Sequence, residues 1–178
     1  IMHLLTSDQL TEKDITYLFN NIGSIKQYNK FGDNVKYGNK VLINVFYEYS
    51  TRTSLSFECA MNKLGGKVIT FNKEFSSIHK GETFEDTIRT LMCYGDIMVI
   101  RHPEKGMVNK IAEISQIPII NGGDGNNEHP SQSLLDLYSI YKKYDSDFVN
   151  KTILFVGDIL NSRTCLLYTS DAADDLVG

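Results

Sequence analysis

Residues Ser50-Thr51-Arg52-Thr53-Ser54 place hydroxyls on both sides of a single guanidinium within five positions. They stand between the apolar run Val41-Leu42-Ile43-Asn44-Val45-Phe46 and a segment, Ser50 to Leu64, whose Leu55, Phe57, Ala60, Met61 and Leu64 recur at helical intervals. A strand that feeds a helix start leaves the first helical N–H groups without intrahelical partners, and the helix dipole favours an anion there. Ser50, Thr51 and Thr53 add hydroxyl donors. Arg52 adds a permanent charge whose fork fits phosphate oxygens. The Gly-rich spacing and lysine of a P-loop are absent. Taken alone, these residues suit a phosphate cradle or an ordinary capped helix with a solvated arginine equally well.

Other polar segments repeat this placement. Arg101 directly follows apolar Ile97–Ile100, which puts its guanidinium at the end of a strand; an isolated arginine there is ordinarily a surface residue. His129 precedes Pro130 at a helix start. It fits a plain capping or surface role, and it equally fits a neutral imidazole that donates to a carbonyl oxygen. Gln132, one turn further in, offers its amide to the same small ligand. Lys80 lies in the polar stretch Asn72 to Glu82, where the simplest reading is a solvated loop lysine.

The elements that must position these groups follow from periodicity. Ser7 suits the N-cap of a helix running to about Asn20, and Asn29 to Asn39 reads as loop. Val41–Phe46 is nearly continuous in apolar residues, as expected of a strand buried on both faces. The helix from Ser50 ends at Gly65-Gly66, where a C′ glycine serves. Strands are expected at 68–71, 97–100, 117–120 and 152–156. Helices are expected at Thr83 to Tyr94, Gly106 to Ser115, and Pro130 to Tyr144, with Pro130 in the first turn. Asn121 to Glu128 reads as a loop. This alternation predicts an α/β fold: a parallel sheet flanked by helices on both faces, in three Rossmann-like layers. Ligands of such sheets gather beyond the carboxyl ends of the strands, where the polar segments at 50–54, 101–103 and 124–132 converge.

Composition narrows the function. The chain has 178 residues, 18 Lys+Arg and 22 Asp+Glu, so 18 − 22 = −4. That balance argues against a general nucleic-acid binder. No apolar run reaches the roughly 18–20 residues of a membrane span. Cys59, Cys93 and Cys165 show neither metal-type spacing nor a disulfide framework. A reducing, cytoplasmic location is the expectation, with organellar targeting left open because the chain does not begin with Met.

Taken in order, the segments Phe46 to Glu58, Lys80-Gly81-Glu82, Arg101-His102-Pro103, Gly123-Asp124-Gly125 with Glu128 to Gln132, and Val156-Gly157-Asp158 with Ser162-Arg163-Thr164 resemble the aspartate/ornithine carbamoyltransferase family. The likeness runs from about Leu4 to Thr164. Lys80-Gly81-Glu82, Arg101-His102-Pro103 and Asn121 to Gly125 look like the aspartate branch. The ornithine branch typically carries Cys where Ser131 follows His-Pro.

The resemblance implies transfer of a carbamoyl group from carbamoyl phosphate to L-aspartate, in pyrimidine biosynthesis, with no cofactor and no metal. Ser50, Thr51, Arg52 and Thr53 would hold the phosphate. Thr53, Arg101 and His129 would polarise the carbonyl, and Gln132 would orient the carbamoyl amide. Lys80 and Ser77 would reach a neighbouring subunit's site in a homotrimer. Lys80 and Arg163 would bind aspartate. The alternatives are another transcarbamoylase, such as an ornithine enzyme, or a non-catalytic domain that binds carbamoyl phosphate.

The likeness stops after Thr164. Cys165 to Asp175 reads like a translated sequencing adapter. The expected organisation is a carbamoyl-phosphate domain over 1–148, the start of a truncated aspartate domain over 149–164, and a non-native tail over 165–178. Such a chain is expected to be inactive alone.

Overall fold

The computed structural model describes residues 2–30, 37–72, 80–144, 152, 154 and 156, with 24–30 as backbone only. In chain order the elements are α1 (Glu12–Lys30), β1 (Val41–Phe46), α2 (Thr51–Lys63), β2 (Lys67–Phe71), α3 (Phe84–Met92), β3 (Ile97–His102), α4 (Met107–Ile114), β4 (Ile119–Asp124) and α5 (Pro130–Lys143). Among the described residues the sheet has four parallel strands in the order β2-β1-β3-β4.

Strand β1 explains the layering. Leu42, Ile43, Asn44 and Val45 are all buried, so neither face of the strand meets water. Successive side chains of a strand point to opposite faces. Ile43 and Val45 join a cluster with Ile88 and Leu91 of α3 and Val108 and Ile111 of α4. Leu42 joins the other cluster with Met61 of α2, and Phe57 packs against it. The chain moves one way along the sheet from β1 to β2 and the other way from β2 to β3 and β4. Right-handed crossovers in opposite directions put α2 on one face and α3 and α4 on the other. The three-layer α/β fold read from the sequence is therefore the fold found.

Local signals account for most element ends. Gly65 follows the C-cap Leu64 with φ +80°, a left-handed conformation that glycine takes without a Cβ penalty. Thr83 caps α3 by accepting the Asp86 N–H at 3.1 Å. Pro130 occupies the first turn of α5, as expected.

Three expectations are corrected. Helix α1 begins at Glu12 rather than after Ser7, and it continues to Lys30 rather than ending near Asn20. Thr11 is its cap: Thr11 Oγ1 accepts the Asp14 N–H at 3.3 Å, and Asp14 accepts the Thr11 N–H at 3.0 Å. The two ends therefore satisfy each other, as in a capping box. Second, β4 starts at Ile119 and runs through Asn121-Gly122-Gly123-Asp124, which the sequence suggested was loop. Ile100 pairs with Asn121 and His102 with Asp124, so β4 carries one extra residue in a bulge. Gly123 adopts φ +116° there, and a Cβ on Gly122 would meet Val99 Cγ1 at 3.1 Å and Ile100 O at 3.3 Å. The glycines that looked like loop signals are what lets the strand bulge. Third, of the expected fifth strand, Thr152, Leu154 and Val156 lie outside any strand, and Leu154 and Val156 are exposed. Residues 151, 153 and 155 lie outside the described residues.

The free edge of β4 is covered from the N-terminus. Leu4 N–H donates to Ile119 O at 2.8 Å, and Asn121 N–H donates to Leu4 O at 2.8 Å. Helix α1 is anchored at Phe19, whose ring lies 5.1 Å from those of both Tyr138 and Tyr141 on α5. No helix among the described residues is long and apolar enough to cross a membrane.

Gly95 offers a test of the packing. A Cβ there would lie 2.3 Å from Cγ1 of Ile43, which is fully buried and cannot yield. Gly95→Ala should cost about 1–3 kcal/mol in urea unfolding, the usual range for overpacking. Gly23→Ala, in open space on α1, should be neutral or stabilising by about 0.5–1 kcal/mol.

Candidate functional site

The carboxyl ends of β1, β3 and β4 lie side by side, and β1 and β3 flank the point where the strand order reverses. Open α/β sheets bind ligands in the crevice at such a point. A cleft of about 920 Å³ lies there, lined by Ser50, Thr51, Arg52, Thr53, Arg101, His129 and Gln132 among others.

The first wall is the start of α2. Ser50 is its N-cap, with extended backbone (φ −156°), and its carbonyl accepts the Ser54 N–H at 3.3 Å. Its hydroxyl makes no capping bond. A capping serine normally takes one of the first-turn N–H groups; here that side chain leaves them to another acceptor. Arg52 is exposed and Thr53 half-buried. Asn44, fully buried on β1, donates to Ser54 O at 3.2 Å and so ties the helix to the strand beneath it.

Arg101 forms the floor. It belongs to β3 itself, paired with Phe46 of β1, and Tyr47 N–H donates to Arg101 O at 2.9 Å. Its Nε donates to Glu48 at 2.9 Å, and one Nη donates to Gly122 O at 3.2 Å. The pair is mostly shielded, at 15% and 23% side-chain exposure. The guanidinium plane is thus fixed by a carboxylate after β1 and a carbonyl within the β4 bulge. On the other side of the sheet, the Tyr47 ring packs against Phe71, Phe84 and His102. Burial there pushes its phenol up to about 12.

The third wall is the turn from β4 into α5. Asp124 is fully buried, and its carboxylate accepts from Gly106 N–H (2.9 Å), Asn121 Nδ2 (3.0 Å), Asn127 Nδ2 (3.1 Å) and Glu128 N–H (2.9 Å). A buried carboxylate is tolerated when its lone pairs are satisfied in this way. The turn also needs Gly125, at φ +55°, where a Cβ would meet Pro103 O at 2.7 Å. His129 is the N-cap of α5 and buried, yet its side chain makes no capping bond; its ring lies 3.3 Å from Ser131 Oγ and lines the cleft. Gln132 donates to Asp136 at 2.9 Å, which orients its amide.

Seven of the sequence-derived site residues therefore meet in one cleft. Lys80 does not line it; it is exposed beside the 73–79 segment. Ser77 and Arg163 lie outside the described residues. Sequence reasoning gave no role to Asn44, Glu48 or Asp124. Asn44 carried a signal, being polar in the middle of an apolar strand. Glu48 acts on a partner 53 positions away, a distance that local pattern does not reveal, whereas Asp124 joins Gly106, 18 positions back, to donors within four residues of itself.

Fold and cleft together define a doubly wound α/β domain with a polar site at its topological switch point. The family is narrower than that class. The family model described as aspartate/ornithine carbamoyltransferase, carbamoyl-P binding domain, matches residues 2–142, and the chain belongs to this family. It is 53% identical over 126 residues to the aspartate carbamoyltransferase catalytic subunit of Methanocaldococcus jannaschii, covering 70% of this chain and 41% of that subunit. It is 44% identical over 166 residues to the multifunctional protein CAD of Squalus acanthias, covering 91% of this chain and 7% of that protein. The crystal structure of aspartate transcarbamoylase from Trypanosoma cruzi in complex with carbamoyl phosphate and aspartate superposes with a TM-score of 0.89 at 36% identity, over 94% of this chain and 56% of that one. The chain thus spans about half or less of these relatives.

Glu128 gives the site a pH signature. Desolvation raises its carboxyl above the ordinary 4.5, with Asp8 and Asp124 pushing the same way, and this outweighs the two bonds from Ser7. An acid raised in the fold penalises the fold once ionised, so stability falls as pH rises from the ordinary value through the raised one. Glu128→Gln removes the charge and keeps an acceptor. Its melting temperature should exceed wild type at pH 7, and the two should converge below about pH 4, where both forms are neutral.

Proposed function

We propose that this chain supplies the carbamoyl-phosphate site of an aspartate carbamoyltransferase. The observation that carries the reading is the uncapped start of α2, with Arg52 beside it, facing Arg101, His129 and Gln132 across one cleft. The N–H groups and hydroxyls of Ser50, Thr51 and Thr53, with Arg52, take the phosphate. Thr53, Arg101 and His129 donate to the carbonyl oxygen, where negative charge grows as the aspartate amine attacks. The new C–N bond forms, the C–O bond to phosphate breaks as the tetrahedral centre collapses, and the proton lost by the amine leaves on the departing inorganic phosphate. Gln132 holds the carbamoyl NH2. Binding both reactants in line supplies much of the rate without a covalent intermediate.

The names of the relatives support aspartate as the acceptor. Residues 149–164 are assigned to the start of an aspartate-binding domain, with Arg163 on an aspartate carboxylate, and transfer is assigned to protein carrying that domain entire. Ser77 and Lys80 are assigned to the site of a neighbouring subunit in a homotrimer; the exposure of Lys80 outside its own cleft is compatible with this. A cytoplasmic location is part of this proposal, supported by cysteines that form no disulfide framework in the sequence.

Calorimetric titration with phosphonoacetamide, a stable carbamoyl phosphate analogue, tests the site. Wild type should bind it. Arg52→Ala should weaken binding at least about tenfold, since a hydrogen bond to a charged group contributes about 1.5–3 kcal/mol. Equal affinity in the two proteins would remove Arg52 from the site. In protein with the complete second domain, radiolabelled carbamoyl phosphate should label L-aspartate and not L-ornithine.

A further inference from the structure

The N-terminal segment runs along β4 and ends on the loop that carries His129. Beyond the Leu4 pairing, Asn121 Nδ2 donates to Leu5 O at 2.9 Å. Ser7, 2% exposed, then donates to Glu128 Oε2 twice, from its N–H at 3.2 Å and its hydroxyl at 3.1 Å. The two residues are 121 positions apart. Ser7 caps no helix, because Thr11 does that, so its buried hydroxyl is committed to this contact.

Glu128 is the residue before His129, and it is held three ways. Its N–H donates to Asp124 Oδ1 at 2.9 Å, its carbonyl accepts the Asp124 N–H at 3.2 Å, and its carboxylate takes both Ser7 donors. Pro130 restricts the backbone on the other side of His129. The imidazole does not cap its own helix; its ring meets Ser131 Oγ at 3.3 Å, and the backbone of 128–130 sets the position from which it reaches the cleft.

We propose that Glu128 is a positioning residue for His129, acting by docking the His129 turn on the N-terminal segment through Ser7. The proposal rests on the site reading above, in which His129 meets the carbonyl and α2 meets the phosphate. That division makes it separable from simple stability. Loss of the Ser7 contact leaves a half-buried carboxylate near Asp124 without its donors and lets the turn shift. Small displacements of a polarising group weaken its contact disproportionately, while the phosphate cradle on α2 stays where β1 holds it.

The test compares two probes, inorganic phosphate and phosphonoacetamide, by calorimetry on the whole 178-residue chain. Wild type should prefer phosphonoacetamide. Ser7→Ala and Glu128→Ala should bind phosphate within about twofold of wild type and lose phosphonoacetamide affinity by about tenfold, the scale of one good hydrogen bond. Glu128→Gln, which keeps an acceptor for Ser7, should retain most of the preference. The ring signals of His129 in 1H–13C spectra should move in Ser7→Ala and much less in Glu128→Gln. Ser7→Ala is the milder change and serves if Glu128→Ala does not fold. An unchanged preference in Ser7→Ala, or a parallel loss of both probes, overturns the positioning role while leaving the site intact. A wild-type chain that binds neither probe overturns the site reading and the positioning role with it.

Discussion

The parallel pairing of β1 with β3 is the constraint on which the site depends. The chain leaves β1 for β2 on one side and leaves β3 for β4 on the other, so the crevice between the carboxyl ends of β1 and β3 stays open. The bond from Tyr47 to Arg101 carries the ladder one residue past the end of β1. That bond fixes the height of Arg101 against the first turn of α2, which starts four residues later at Thr51. Neither side chain chooses this relation. It follows from register, and register follows from four buried residues on β1 that must keep both faces dry.

The opposite wall is built on a different principle. Strand β4 bulges, its glycines bring backbone close to β3, and a buried aspartate gathers the donors of the turn. The bulge has a direct consequence for the floor of the cleft, because Gly122 O within it accepts from Arg101. A regular ladder would commit that carbonyl to a neighbouring strand's N–H. The loop-like sequence Asn121-Gly122-Gly123-Asp124 is therefore strand and site scaffold at once.

This division explains what was legible in the sequence. The bounds of β1, the glycine stop at Gly65 and Pro130 at the head of α5 are local, and each is set by residues within a few positions. The meeting of Ser50–Thr53, Arg101 and His129–Gln132 was legible because strand–helix alternation forces strand ends to one edge. The Ser7 cap failed because Thr11-x-x-Asp14 satisfies the helix start better, while Ser7 is drawn to Glu128 at the far end of the domain. The extent of β4 failed because glycine signals both a loop and close backbone approach, and only the third dimension separates them. Glu48 gained its role from a partner 53 positions away that no periodicity points to.

The electrostatics of the cleft argue for a division of labour between its two arginines. Arg52 is exposed at a helix start, where dipole and guanidinium act in the same direction on an entering anion. Arg101 is shielded and already balanced by Glu48 at 2.9 Å. A second full negative charge placed against Arg101 would also meet Glu48, and at such short range like charges repel strongly in partly buried surroundings. A neutral carbonyl oxygen meets no such opposition. It gains from the guanidinium dipole at rest, and more as charge builds on it during attack. In the proposed reaction the phosphate therefore belongs at Arg52 and the α2 terminus, and the carbonyl belongs at Arg101. In that reaction the ligand's orientation would follow from where Glu48 sits.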